Sequence, residues 1–468
     1  MSRILLRGAK VVTMAPHRAD AEDIDILIDG DRIAEIGSRL RADDVETVDL
    51  SGRIVIPGLV NAHLHTWQTA LRFAGTDWTL PDYLAQAHGV AARHYRPDDM
   101  RIGTAAGAVS QINSGVTTIG DWCHNCGTPE HADAAVEGLR QAGVRAVFLH
   151  GTPHALVDRP HDTREIDRLI DGAIGASDLL SVGMAIKGPQ LSKPDVALAD
   201  LRAATERGVL ASMHQSAGAP GAGWEAVRAA GLWSPLTNIV HGTGLTDDTV
   251  RQLVDAGATI TSTPENELGQ GHCTAVVDHL LRCGAAPSLG TDTEVVVAGD
   301  MLVAARLCLA QHRGAAHAHE YRRTGLGAPQ MPLTAGHALS WATLEGARAL
   351  GLADRIGTIE PGKQADLVIL DARMLNLWPS HDPVAAALNS TTANVESVMI
   401  AGAWRKRDHV LLAGPVDELM DELRNSGERI LREIRGTGLF ARVQRRVVRQ
   451  VVRRQLRRQA QQRGRPQP

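Results

Sequence analysis

No run of apolar residues in this chain of 468 residues approaches the roughly 20 that a membrane-crossing helix needs. Its first stretch, MSRILLRGAKVV, has neither the long apolar segment nor the small-residue cleavage site of a secretory signal, so a cytoplasmic protein is expected. Cysteine is scarce. The five present are an odd number, and Cys273, Cys283 and Cys308 have no close partner in sequence; this excludes a disulfide scaffold and fits a reducing compartment. Acidic residues are missing from one segment: residues 442–465 hold ten Arg and no Asp or Glu. That leaves −14 on the remainder of a chain whose total is −4, and an acidic body argues against a nucleic-acid enzyme with a basic surface. What is present suits a large core, with 44% hydrophobic and 22% charged residues. At about 100–200 residues per domain, the length fits two to four domains or one large α/β barrel with additions.

Short β-rich runs fill residues 3–56 (ILLRGAKVVTM, DIDILIDGDRIAEIG, VDLSGRIVIPG) and recur at 355–372 and 395–408, which predicts one composite β-sandwich built from both ends of the chain. Between them, apolar runs alternate with helical patterns and end at His63/His65, Asp121, His150, Lys187, His214, His241, Glu265 and Asp292. From Asp121 onward the gaps are 24 to 37 residues, the size of one strand–helix unit, and eight such units predict an α/β fold of the (β/α)8 TIM-barrel type. The gap of 56 residues between His65 and Asp121 predicts an insertion folded over the barrel mouth. The expected organisation is residues 1–56 and 351–413 for the sandwich, 57–350 for the barrel, and 414–468 for a helical, Arg-rich tail. In that tail Val443, Val447 and Val451 fall on one helical face and Arg445, Arg449 and Arg453 on another. A solvated helix is the plain reading, with docking on the acidic body or on a second subunit of a homo-oligomer as the alternative.

The strongest chemical signal is Asn61-Ala62-His63-Leu64-His65. Strand positions i and i+2 share a face, so both imidazoles enter the barrel while Leu64 packs outside. Such a pair alone is commonly structural. Here further candidates close later strands: His214 ends GVLASMH, His241 ends TNIVH and Asp292 ends PSLGTD. Imidazoles plus a carboxylate suit one borderline divalent ion, zinc first and iron second, with room left for water.

With VIPGLVNAHLHTWQTALR, the IVHG strand, SLGTD followed by GDM, and LEGARALGLADRIGTIEPGKQADLVIL, the chain resembles the amidohydrolase superfamily, in the branch of cytosine deaminase and the s-triazine (atrazine) chlorohydrolases. The resemblance spans residues 3 to about 410 and implies that His63, His65, His214 and Asp292 hold one metal, with His241 beside the metal-bound water. A bound ion lowers the pKa of water from about 15.7 to about 7 and so supplies a nucleophile at neutral pH. Asp292 would take the water's proton and pass it to the leaving group, and His241 would stabilise the tetrahedral intermediate. The expected activity is hydrolysis of a non-peptide carbon–nitrogen bond, of deaminase, amidine or amide type, in a small polar nitrogen-rich molecule. Two alternatives stand beside it: displacement of another leaving group, as in a chlorohydrolase, and a non-catalytic binding protein on the same scaffold.

One departure from the family pattern bears on the proton donor. Deaminases of this branch carry His-x-x-Glu after strand 5, whereas this chain has His214-Gln215-Ser216-Ala217, and Ala217 donates no proton. Glu265, Glu267 and Glu294 are the acids near strands 7 and 8; strand alternation selects one of the first two, and Glu265, nearer the strand, is the expected acid, with a pKa raised by burial. Lys187 is assigned to an anionic substrate group, with carboxylation to bridge two metals and a plain surface lysine as the other readings. Trp67, Gln68 and Trp122 are expected to wall the substrate pocket with Trp78, and His124 to line it. His272, after a glycine turn, is a weaker candidate. The Cys123-x-x-Cys126 spacing is read as neither a structural zinc site nor a redox pair, for lack of further ligands or a thioredoxin-like context.

Overall fold

Eight short runs with nearly every residue buried lie side by side in one parallel sheet: β1 (Leu59–Leu64), β2 (Val116–Cys123), β3 (Arg145–Gly151), β4 (Leu180–Ala185), β5 (Ala211–Gln215), β6 (Thr237–His241), β7 (Thr259–Ser262) and β8 (Ser288–Leu289). This is a computed structural model describing residues 3–153, 159–172, 174–216, 218–272, 276–436 and 450. Strands covered on both faces must be apolar almost throughout, which is why they read as continuous runs. The sheet closes between its first and last strands. The Asp292 amide donates to the His63 carbonyl at 2.9 Å, and the His65 amide donates to the Asp292 carbonyl at 2.7 Å. Gly290 permits this approach, because a Cβ there would lie 2.7 Å from the His63 carbonyl oxygen. The result is a (β/α)8 barrel with His63, His214 and His241 at the C-terminal ends of their strands and Asp292 just beyond the last one.

The outer helices follow local signals. Pro129–Ala142 begins with proline in its first turn and stops at Gly143, in the left-handed region at φ +66°, where glycine carries no Cβ penalty. Asp247–Asp255 starts at Thr246, whose hydroxyl accepts from the Thr249 amide, satisfying one of the open N-terminal donors.

Two further sheets, of four and seven strands, form the sandwich. Arg53–Pro57 from the N-terminal segment pairs antiparallel with Leu367–Asp371 from the C-terminal one, Val55 opposite Ile369, so both ends of the chain build one core with Ile4, Ile26, Ile28 and Met399. A buried Arg145–Asp366 pair, with two contacts of 2.9 Å, ties the start of β3 to this unit.

The segment after β1 contains short turns of helix, Thr66–Leu71, Leu80–Tyr83, Leu84–His88 and Ala91–His94. It is stitched to the loop after β8: the Phe73 amide donates to the Glu294 carbonyl at 2.9 Å, and Arg72 bonds the Glu294 carboxylate at 2.7 Å. Glu294 is thus spent on holding this cover in place. The helix Val416–Gly436 docks on the helix Pro97–Asn113, where Asp99 takes a 2.6 Å hydrogen bond from Ser426 and pairs with Arg429. The Arg-rich segment with Val443, Val447 and Val451 lies outside the described residues. Among the described residues, no helix is long and apolar enough to cross a membrane.

Candidate metal centre and active site

Strand alternation turns His63 of β1, and His65 immediately after it, into the barrel, where they meet His214 of β5 and Asp292 beyond β8. His63 Nε2 lies 3.2 Å from His214 Nε2 and 3.4 Å from Asp292 Oδ1; His65 Nε2 lies 3.1 Å from the same carboxylate oxygen. The His65 Nδ1 sits 2.6 Å from the Trp122 carbonyl. A carbonyl only accepts, so Nδ1 carries the hydrogen and Nε2 presents its lone pair to the cluster. Burial drives the His63 imidazole down to about 3 and that of His214 well below its ordinary value, so these rings are neutral. Burial pushes the Asp292 carboxyl up, but the electrostatic pull of the surrounding His63, His65 and His241 side chains outweighs it and holds the group well below the usual range. Neutral imidazoles crowding their lone pairs around one carboxylate are mutually repulsive until a cation sits among them. The donor set therefore fits a divalent ion. Donor atoms of His63, His65 and His214 all lie within 4.8 Å of one another.

His241 and Asp292 both have positive φ, +66° and +61°, conformations that cost non-glycine residues about 1–3 kcal/mol each. At Asp292 both backbone bonds to β1 hold that geometry. At His241 the side chain is held instead: Nδ1 lies 3.0 Å from the Thr263 hydroxyl and 3.4 Å from Glu267 Oε1. Glu267 is fully buried and accepts from the Thr263 amide at 2.6 Å and from the Ser262 hydroxyl at 2.8 Å. With Nδ1 on that side, Nε2 of His241 is left for the cavity.

A cavity of about 710 Å³ opens over the cluster, with His65, His214, His241 and Asp292 on its floor and Leu80, Tyr83, Leu84 and Tyr95 of the covering segment on its wall. Polar lining comes from His88, Arg93, His124, His131 and His272. Residues 54–405 match the model of the Amidohydrolase family. The chain belongs to the amidohydrolase family.

This amidohydrolase is 28% identical over 463 residues to a 5-methylthioadenosine/S-adenosylhomocysteine deaminase of Symbiobacterium thermophilum, covering 92% of this chain and 100% of the relative. It is 29% identical over 426 residues to a 5'-deoxyadenosine deaminase of Methanothermobacter thermautotrophicus, covering 86% and 93%. In fold it is similar to a zinc-bound adenosine deaminase from Xanthomonas campestris, with TM-score 0.78 at 24% identity over 92% of this chain and 98% of that one. It is also similar to the zinc complex of atrazine chlorohydrolase TrzN from Arthrobacter aurescens, with TM-score 0.79 at 22% identity over 91% and 100%. The amidohydrolase is a metal-dependent hydrolase of carbon–nitrogen bonds other than peptide bonds, and its three histidines mark a divalent-metal site.

The other residues expected from sequence fall at different distances from this centre. His124 lines the cavity, its ring 4.1 Å from that of His65. Trp122 is buried beneath the cluster instead of walling the cavity: its Nε1 donates to Ser212 at 3.1 Å and its ring lies 4.4 Å from that of His214. Trp67 is buried against Tyr95, their rings 4.9 Å apart. Gln68, fully buried, accepts from the Tyr83 hydroxyl at 2.9 Å and the Thr293 hydroxyl at 2.5 Å, so Trp67 and Gln68 shape the wall from behind. Lys187 donates to the Thr152 carbonyl at 2.8 Å, and burial lowers its pKa to about 7 against the opposing pull of Asp200. Ala217 lies outside the described residues.

Glu265 is where expectation and structure part. Alternation applies only while the strand lasts, and β7 ends at Ser262; from Pro264 the chain is helical to Gln270. A helix returns residue i+4 over residue i, so Glu267 folds back onto Thr263 and reaches His241. Glu265 is half-buried on the first turn, its pKa raised by burial and by Asp300, and it is absent from the cavity lining. The signal available in the sequence was Thr263-Pro264, a helix-start pair. The lining residues His88 and Arg93 carry no such signal, because the segment after β1 has no repeating period, and His131 sits in the first turn of the helix after β2.

Proposed function

We propose that this amidohydrolase is a single-zinc deaminase that releases ammonia from an amino-substituted nitrogen heterocycle, of the purine-nucleoside type on which its named relatives act. One observation carries the reading: a buried histidine–carboxylate centre forms the floor of a cavity of about 710 Å³, which is within the size range of sites that enclose small organic ligands. His63, His65, His214 and Asp292 would hold a zinc ion, which when bound would supply Lewis acidity and make water a nucleophile near neutral pH.

The chain's own groups then divide the work. His241, with its Nδ1 side on Glu267 and Thr263, keeps Nε2 toward the cavity as the acceptor that orients the attacking water. Asp292, ionised at neutral pH, accepts the water's proton and delivers it to the departing amine, so the ammonia leaves neutral and no covalent adduct with the chain forms. Leu80, Tyr83 and Leu84 cover the floor and exclude bulk water, which strengthens each of these interactions. His124 is proposed as a polar contact at the β2 side, Lys187, buried outside the lining and bonded to the Thr152 carbonyl, as a support of the β4 side, and Trp67, Gln68 and Trp122 as the framework that fixes the floor.

A second reading rests on Ala217. Where the branch places a proton-donating Glu this chain has none, and a leaving halide needs no proton, so chlorohydrolase-like displacement is the competitor. The test is a panel of adenine nucleosides, cytosine and chlorinated triazines offered to the zinc-loaded enzyme, with ammonia and chloride both measured. Ammonia release from the nucleosides is expected. Chloride release exceeding it would favour displacement, and no release of either from the zinc-replete protein would favour a binding protein.

A further inference from the structure

The Cys123-x-x-Cys126 loop plays no part in the hydrolytic chemistry, yet the structure brings its two thiols together. Cys126 Sγ lies 3.4 Å from Cys123 Sγ and 3.6 Å from the Cys123 carbonyl, and both side chains are buried, with Cys126 the more accessible at 8%. Asn125 and Gly127, on either side of Cys126, line the cavity, so a small solute in the cavity reaches the loop. The His150 imidazole of β3 is near enough to pull on the Cys126 thiol, and its Nδ1 lies 2.8 Å from His161 Nε2. Burial alone would raise the Cys126 thiol, but the bond from Cys123 and the His150 charge outweigh it and bring the group below its ordinary value, while His150 itself is raised. A thiol beside an imidazole, with a second thiol in van der Waals contact, has the parts of an oxidisable pair: an activated sulfur and a resolving one. Sequence spacing alone offers no thioredoxin-like context; the 3.4 Å approach of the two sulfurs, with His150 of the neighbouring strand pulling the Cys126 thiol down, supplies one.

We propose that Cys123 and Cys126 are a covalent modification site that closes to a disulfide with a hydroperoxide, and that closure slows hydrolysis by moving His124. The Cys126 sulfur attacks the peroxide, forming an S–O bond as the O–O bond breaks, and the leaving hydroxide takes up a proton as water. The Cys123 sulfur then attacks the sulfenic sulfur; the S–S bond forms, the S–O bond breaks, and hydroxide leaves with the Cys123 proton. Overall two thiols and one hydrogen peroxide give one disulfide and two waters. Closing the sulfurs from 3.4 Å to about 2.05 Å tightens a loop whose second residue, His124, has its ring 4.1 Å from that of His65.

The test treats the zinc-loaded enzyme with stoichiometric hydrogen peroxide and reads peptide masses, bound zinc and ammonia release separately. A loss of about 2 Da in the peptide spanning residues 123–126, reversed by dithiothreitol, is expected. With it kcat should fall about 10-fold or more at unchanged zinc content, as a displaced site residue does. Cys126→Ser should keep the reduced enzyme's activity and resist the fall, and Cys123→Ser should stop at the sulfenic acid. Peroxide that leaves both thiols free, or oxidises Cys126 without a bond to Cys123, overturns the proposal, as does a disulfide that forms with kcat unchanged. The mass readout is independent of which substrate the enzyme takes, so a failed substrate assignment leaves it standing.

Discussion

Glu267 Oε1 lies 3.4 Å from His241 Nδ1 and is itself fixed by the Thr263 amide at 2.6 Å. A carboxylate behind an imidazole sets which ring nitrogen carries the hydrogen and orients the ring, and losing such a partner typically costs 10–100-fold. Glu267→Gln should therefore lower kcat by about 10- to 100-fold with little change in KM or zinc content. Glu265→Gln, facing Asp300 from outside the cavity lining, should stay within about 2-fold of the parent. Steady-state kinetics on the two variants side by side checks this; a larger loss at 265 would return the proton-donor role to that residue.

Lys187 gives the stability a particular pH dependence. Its folded pKa is lowered to about 7 by burial, against about 10.4 in the unfolded chain. Between those values the unfolded state binds more protons, so stability rises with pH from about 7 toward 10 from this group, and is penalised below 7. Lys187→Met should flatten that rise in urea midpoints measured from pH 7 to 10. An unchanged pH profile in the variant would show that the lysine is not held in a desolvated state.

The Arg145–Asp366 pair joins barrel and sandwich with both side chains 2% exposed, and Asp366 also accepts from the Ala401 amide at 2.8 Å. Removing one partner leaves a buried charge alone, which costs about 3–5 kcal/mol, whereas replacing both often costs far less. Asp366→Asn should destabilise by roughly that amount in urea unfolding, and adding Arg145→Met should recover part of it. Equal losses in the single and double variants would contradict this.

The parallel barrel was legible in the sequence because both of its physical requirements leave marks: strands buried on both faces make apolar runs, and side chains at their ends carry the chemistry. His63 and His65 at i and i+2 point one way by strand geometry alone, and the single residues His214, His241 and Asp292 follow at the same strand ends. The limit of that reasoning is the end of the strand. Beyond Ser262 the period changes from two to 3.6 at Pro264, which moves the carboxylate at His241 from position 265 to 267. Trp122 and Trp67 show a different limit, since a large apolar side chain at a strand end reads the same whether it walls a cavity or supports its floor; only the hydrogen bond from Trp122 to Ser212 and the packing of Trp67 on Tyr95 decide. The influence of His150, on β3, on Cys126, in the loop after β2, crosses between separate segments, and no local spacing encodes it.

The central claim is that His63, His65, His214 and Asp292 form one divalent-metal centre on which carbon–nitrogen hydrolysis depends. Its most direct test strips the enzyme with a chelator and titrates zinc back, following bound metal and ammonia release together in the parent and in Asp292→Asn. In the parent, ammonia release should rise with zinc and level off at about one ion per chain, while Asp292→Asn at equal zinc occupancy should release ammonia at least about 100-fold more slowly, having lost its proton carrier. Full ammonia release from the metal-free parent, or an unimpaired Asp292→Asn enzyme, would contradict the account.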